Sequence, residues 1–190
     1  MKPSIRIHVL LLQILAMFWT CQIYAQAQKA DHSITKIYLV RHAERDAGVD
    51  PPLNELGKAR ALDLKQLLSD SSITTIYCLD FKRNRQTAQP LAEYLGVKPI
   101  LVPSDSTWNS YRVADFFLNE VKAKHQGESV LFVGNQKPQD VRGPGNLHTI
   151  FWTLKGSHDE TLRTEYFNVH TIYLYRDGHC DFFEGEYGAL

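Results

Sequence analysis

The chain has 190 residues, 44% hydrophobic and 22% charged, with 21 basic and 21 acidic side chains. That length and apolar share suit one globular domain with a sizeable core, and they exclude a disordered, collagen-like or multi-pass membrane chain. A formal net charge of zero supplies no basic field, which argues against nucleic acid as a partner.

Residues 1–25 read as a secretory signal peptide. Lys2 and Arg6 form a basic n-region, Ile7 to Trp19 is almost wholly apolar, and Ile23-Tyr24-Ala25 and Ala25-Gln26-Ala27 offer small-residue cleavage sites. Gln13, Thr20 and Gln22 shorten the apolar run below a membrane span, so no stable span is expected after cleavage. The expected product is exported, periplasmic or secreted, with a short polar leader at 26–33 and one domain over 34–190. Of three cysteines, Cys21 leaves with the signal. Export permits Cys78 and Cys180 to pair, but Cys78 lies in an apolar run where a buried free thiol is the commoner outcome.

In chain order, Ile34–Val40 is rich in β-branched and aromatic residues and predicts a buried strand. A loop with Gly48, Pro51 and Pro52 follows. Asn54 then stands as N-cap to a helical stripe of Leu56, Ala59, Leu64, Leu67 and Leu68. Ile73–Leu79 predicts a second strand, and Ala88, Leu91, Ala92 and Leu95 a second helix ending at Gly96. Pro99–Val102 is a short third strand, Val113, Phe116, Phe117 and Val121 mark a third helix, and Ser129–Val133 is a fourth strand ending at Gly134. From Asn135 to Asn168 no periodicity emerges, and Gly143-Pro144-Gly145 breaks the stretch. Thr171–Arg176 and His179–Phe183 flank Asp177-Gly178, the signal of a two-residue hairpin. The alternation predicts a single-domain α/β fold: a mostly parallel sheet flanked by helices on both faces, with an antiparallel edge hairpin near the C-terminus.

In an open α/β sheet, ligands bind outside the carboxyl ends of the strands. Strand one runs into Arg41-His42-Ala43-Glu44-Arg45, strand two into Asp80-Phe81-Lys82-Arg83-Asn84-Arg85, and strand four into Gly134-Asn135-Gln136-Lys137. Each has a plainer reading alone: a hydrogen-bonded loop histidine, a solvated helix start, an arginine capping the sheet edge. Together they suit a phosphoryl group, because guanidinium forks bind phosphate oxygens bidentately and a neutral imidazole beside them can attack phosphorus. His125, His158, His170 and His179 show no metal-ligand spacing. There is no serine nucleophile elbow, P-loop or dinucleotide glycine pattern, and no metal or organic cofactor is implied.

Ile37–Glu44 resembles the Arg-His signature of the histidine phosphatase (phosphoglycerate mutase-like) superfamily, small bacterial branch. Pro52–Ala61, Asp80–Ala88, Val130–Gly134, Glu165-Tyr166 and Glu186-Tyr187-Gly188 are similar to its later blocks in the same order. The resemblance implies that His42 is the nucleophile carrying a phosphohistidine, that Arg41 and Arg83 hold the phosphate and that Arg45 assists. The family places a second histidine directly after the glycine of strand four, where this chain has Asn135. An asparagine donates a hydrogen bond to a phosphate oxygen but carries no charge, and losing a charged donor there costs on the order of 3 kcal/mol, about a hundredfold in rate. Lys137 and His148 are the candidates to restore the charge. Asp105, with Asp115 next, is the candidate proton donor to the leaving group. Two functions follow: an exported phosphomonoester hydrolase of reduced activity, acting on a phosphorylated small molecule or phosphoprotein, or a binding module for phosphate ligands that keeps the arginine cradle without the chemistry.

Overall fold

The computed structural model describes residues 13, 15–17, 19, 34–103, 109–136, 144–158 and 162–188. The chain divides into two units, Met1–Ser33 and Ile34–Leu190. In the first, Gln13, Leu15, Ala16, Met17 and Trp19 are helical and exposed. Among the described residues no helix is long and apolar enough to cross a membrane. The signal and leader at 1–33, Cys21 included, otherwise lie outside the described residues.

The second unit runs β1 (Thr35–Arg41), α1 (Glu55–Leu68), β2 (Ile73–Leu79), α2 (Lys82–Leu95), β3 (Ile100–Val102), α3 (Ser110–Lys124), β4 (Ser129–Gly134), α4 (Asn146–Lys155), β5 (Asn168–Leu174) and β6 (Cys180–Glu186). The sheet order is β3-β2-β4-β1-β5-β6. The first four strands are parallel, β5 is antiparallel to β1, and β6 is antiparallel to β5 at the edge.

Both faces of the parallel strands are covered, which is why they read as unbroken apolar runs. Ile37 and Leu39 of β1 join Phe132, Phe117, Leu147 and Ile150 in a core beneath α3 and α4. Tyr38 and Val40, one residue out of phase, join Leu64, Ile76, Leu91 and Leu131 beneath α1 and α2. Local chemistry sets the helix ends. The Asn54 side chain accepts from the Gly57 N–H at 2.9 Å, that of Asn109 accepts from the Arg112 N–H at 3.0 Å, and Gly96 closes α2 in the left-handed conformation.

Two sequence expectations change. The C-terminal hairpin is not a two-residue turn: Leu174 pairs with Cys180, the Gly178 N–H donates to the Tyr175 carbonyl at 3.0 Å, and the Tyr175 N–H donates to His179 at 2.9 Å. The loop is therefore three residues, Arg176-Asp177-Gly178, of the turn-plus-bulge kind. The stretch without periodicity holds α4, whose Thr149, Ile150, Phe151, Trp152 and Thr153 favour strand over helix by intrinsic preference. Cys78 and Cys180 are both free thiols. Cys78 is buried in the core on one face of the sheet and Cys180 packs, partly exposed, against the core on the other, which keeps them apart.

Candidate active site

The carboxyl ends of β1, β4 and β2 bring the three charged segments to one edge. Val40 pairs with Val133 and Arg41 with Gly134, and the His42 N–H donates to the Gly134 carbonyl at 3.0 Å, carrying the ladder one step past β1. A side chain at residue 134 would displace its neighbours, since a Cβ there would lie 2.5 Å from Asn146 Oδ1 and 2.6 Å from Leu147. Thr87 of α2 ties the loop from the other side. Its Oγ1 accepts from the Ala43 N–H at 2.9 Å and donates to the Arg83 carbonyl at 2.7 Å.

His42 is 4% exposed. Its Nδ1 lies 2.7 Å from the Ala43 carbonyl oxygen. A carbonyl only accepts, so Nδ1 carries the proton and Nε2 presents its lone pair. The Tyr166 ring stands 5.7 Å away at 58°. The imidazole pKa is pushed down to about 3, by burial first and further by the charges of Arg83, Arg41 and Arg45, against the opposing effect of the Ala43 hydrogen bond. His42 is thus a neutral imidazole at any physiological pH.

Arg41 donates through Nη1 to the Thr164 carbonyl at 3.3 Å and through Nη2 to the Tyr166 hydroxyl at 3.1 Å, with its guanidinium 3.9 Å from the centre of the Tyr166 ring. Arg83 lies over Phe81 at 4.2 Å, and its Nη1 is 3.6 Å from Asp50 Oδ1. Arg45 is anchored by a backbone bridge to Leu53 and donates from Nη1 to the Asp46 carbonyl at 2.9 Å. Burial lowers the pKa of both Arg41 and Arg83, and the neighbouring cations, Arg45 among them, lower each further. The Nε atoms of Arg41, Arg45 and Arg83 are all buried without a hydrogen-bond partner. Buried N–H donors are almost always satisfied in a folded protein, so the three guanidiniums concentrate positive charge and unmet donor capacity around a neutral imidazole.

Asn135 fits its surroundings in one amide orientation. The oxygen accepts from Arg83 Nη2 at 3.1 Å, and the nitrogen donates to Asn84 Oδ1 at 3.1 Å and to the Gly134 carbonyl at 3.2 Å. Its backbone N–H donates to Asn146 Oδ1 at 2.9 Å. Both amide hydrogens are therefore engaged within the protein.

Arg41, His42, Arg45, Arg83 and Asn135 are brought together. His148 lies half-buried on α4 with its ring centroid 5.6 Å from that of Trp152, and burial lowers its pKa, as does His170, against the Leu162 backbone hydrogen bond. Asp115 is exposed on α3. Asp105 and Lys137 lie outside the described residues. Sequence reasoning missed Asp50, Thr87 and the contact of Tyr166 with Arg41 and His42. Asp50 sits in a Gly/Pro-containing loop with no pattern that announces a site, whereas Tyr166 is marked only by the Glu165-Tyr166 block of the resemblance, which gives it no partner. Among the described residues no three His, Cys, Asp or Glu side chains assemble as a metal site requires.

The architecture is an α/β sheet with three polar and basic segments gathered at the carboxyl ends of its parallel strands. Residues 37–105 match the family model of the histidine phosphatase superfamily, branch 1. Phosphoserine phosphatase 1 of Hydrogenobacter thermophilus is 26% identical over 138 residues, covering 68% of this chain and 65% of that protein. A Schizosaccharomyces pombe protein named as a phosphatase is 38% identical over 72 residues, 34% of this chain, and the match spans only a third of that relative's length (33%). The protein histidine phosphatase SixA in complex with tungstate superposes with a TM-score of 0.59 at 16% identity, over 80% of this chain and 96% of SixA. The mycobacterial glucosyl-3-phosphoglycerate phosphatase Rv2419c superposes with a TM-score of 0.60 at 14% identity, over 83% of this chain and the whole of that one (100%). At these identities the superpositions establish the fold.

Proposed function

We propose that the protein is an exported phosphomonoester hydrolase that works through a phosphohistidine on His42. The observation that carries the reading is the neutral, Nδ1-protonated imidazole set among three guanidiniums whose buried Nε atoms have no partner. Nε2 attacks phosphorus, the bond from phosphorus to the ester oxygen breaks, and the leaving alkoxide takes a proton from solvent. Water then attacks the phosphohistidine, the P–N bond breaks, and inorganic phosphate leaves with the proton balance restored from that water. Arg41 and Arg83 stabilise charge on the equatorial oxygens. Arg45, a third cation acting on the same pocket, supplies the positive charge that a second histidine would have given. The similar proteins named as phosphatases support hydrolysis, and the substrate in this reading is a small phosphomonoester or a phosphorylated protein side chain. The apolar segment at 7–19, with its basic start and small-residue sites, supports export.

A second reading, a phosphate-binding module without turnover, is favoured by Asn135, whose amide hydrogens are engaged within the protein. Hydrolysis of para-nitrophenyl phosphate by the wild type and by His42→Ala separates the two. Turnover that vanishes in His42→Ala is the expected result. Absence of turnover in the wild type, with inorganic phosphate still raising the melting temperature, selects the binding module.

A further inference from the structure

Asn135 stands at the position where the resemblance leads one to look for a second cationic donor to the phosphate. Its contacts describe a different task. Arg83 presents two terminal nitrogens, and each faces an acceptor on another element: Nη1 faces Asp50 of the loop after β1 at 3.6 Å, and Nη2 donates to the Asn135 amide oxygen at 3.1 Å. Asn135 is in turn held from three sides. Its amide nitrogen donates to Asn84, one residue along α2 from Arg83, and to the Gly134 carbonyl. Its backbone N–H is fixed by Asn146 at the start of α4. Asn84 closes the frame by donating to the Val133 and Gly134 carbonyls at 3.1 and 3.2 Å, and it is wholly buried. An arginine side chain has four rotatable bonds, and a bidentate phosphate contact needs its plane set in advance.

We infer that Asn135 is a positioning residue for Arg83: its amide oxygen fixes the guanidinium plane at the phosphate site. An acceptor is what this place requires. A protonated histidine there offers only donors and faces a cation across the gap, and it loses the contact that holds Arg83. The inference builds on the anion-site reading above and reverses its simplest corollary, since restoring the histidine should harm the site.

The test uses the full chain, with inorganic phosphate as probe in binding and para-nitrophenyl phosphate in turnover. Asn135→Ala and Asn135→His should each weaken phosphate binding about tenfold and raise KM more than they lower kcat. In an Arg83→Ala background, Asn135→Ala should change phosphate binding less than about twofold, because the side chain acts through Arg83. Equal effects in both backgrounds, or an Asn135→His variant that binds phosphate more tightly or turns over faster, would overturn the inference. A third readout needs no anion. In the free protein, rotation of the Arg83 guanidinium followed by NMR should be slow in the wild type and fast in Asn135→Ala. If the wild type binds no phosphate, the anion-site reading fails, and this signal still decides the role of Asn135: equal rotation in the two proteins refutes it.

Discussion

His42 is neutral because burial and three guanidiniums all disfavour the imidazolium. The consequence for stability has a definite sign. The folded-state pKa is about 3 against 6.5 for the free side chain, so between those values the unfolded chain binds more protons. Stability is therefore full above about pH 6.5 and falls as pH drops toward 3, by on the order of 5 kcal/mol in total. Urea unfolding at pH 7 and pH 4.5 should show a smaller acid loss in His42→Ala than in the wild type. The acid limb of kcat/KM should also show no histidine-like inflection near 6.5 arising from His42, and a pH–rate profile with one would reassign the nucleophile's environment. A lone Arg-His pair after a strand is legible in the sequence as a candidate. Which ring nitrogen is free is decided by the Ala43 carbonyl, a detail of loop geometry that no residue pattern records.

At the scale of elements, the loop carrying His42 is held against α1 more tightly than its length suggests. Gly57 packs on the backbone of Glu44, where a Cβ would fall 2.0 Å from the carbonyl oxygen. Both Glu44 carboxylate oxygens accept from Arg60 Nε, at 2.7 and 2.8 Å, and Arg60 Nη1 reaches the Tyr187 carbonyl at 3.2 Å, so the C-terminal segment is tied to the same loop. Gly57→Ala cannot be accommodated without moving Glu44. It should cost at least about 2 kcal/mol in chemical denaturation and lower turnover with it. Arg60→Ala leaves Glu44 buried and unpaired and should cost about 3–5 kcal/mol by the same measurement. The sequence showed α1 through its Asn54 cap, which is local, but the expected stripe is only partly the buried face: Leu64 and Leu68 are buried with Gly57, Arg60 and Ala61, while Leu56, Ala59 and Leu67 are exposed. It concealed α4, since a helix rich in threonine, isoleucine and aromatics forms only when packing against the sheet outweighs intrinsic preference.

Among the described residues, two large cores lie on opposite faces of the sheet, with a small third cluster of Ala43, Leu53 and Ala61 at the loop after β1. Phe117 and Phe132 meet at 4.7 Å in one of the large cores, and Phe117→Ala should cost about 3–5 kcal/mol by leaving a cavity beneath α3. Cys78 is fully buried in the other core, where burial pushes its thiol up to about 12. It should stay silent to thiol reagents until the protein unfolds, and a reductant should leave the melting temperature of residues 34–190 unchanged; a drop would reveal a disulfide. By itself the sequence determined the α/β class, the strand–helix order and the three charged segments that follow strands one, two and four, because hydrophobic period, capping residues and strand ends are written in neighbouring positions. Only the tertiary structure decided that Asp50 and Tyr166 stand beside the arginines, that Asn135 holds Arg83 and that the cysteines face opposite sides. Those facts depend on strand order, register and the path of loops, which long-range packing sets and no local stretch of sequence encodes.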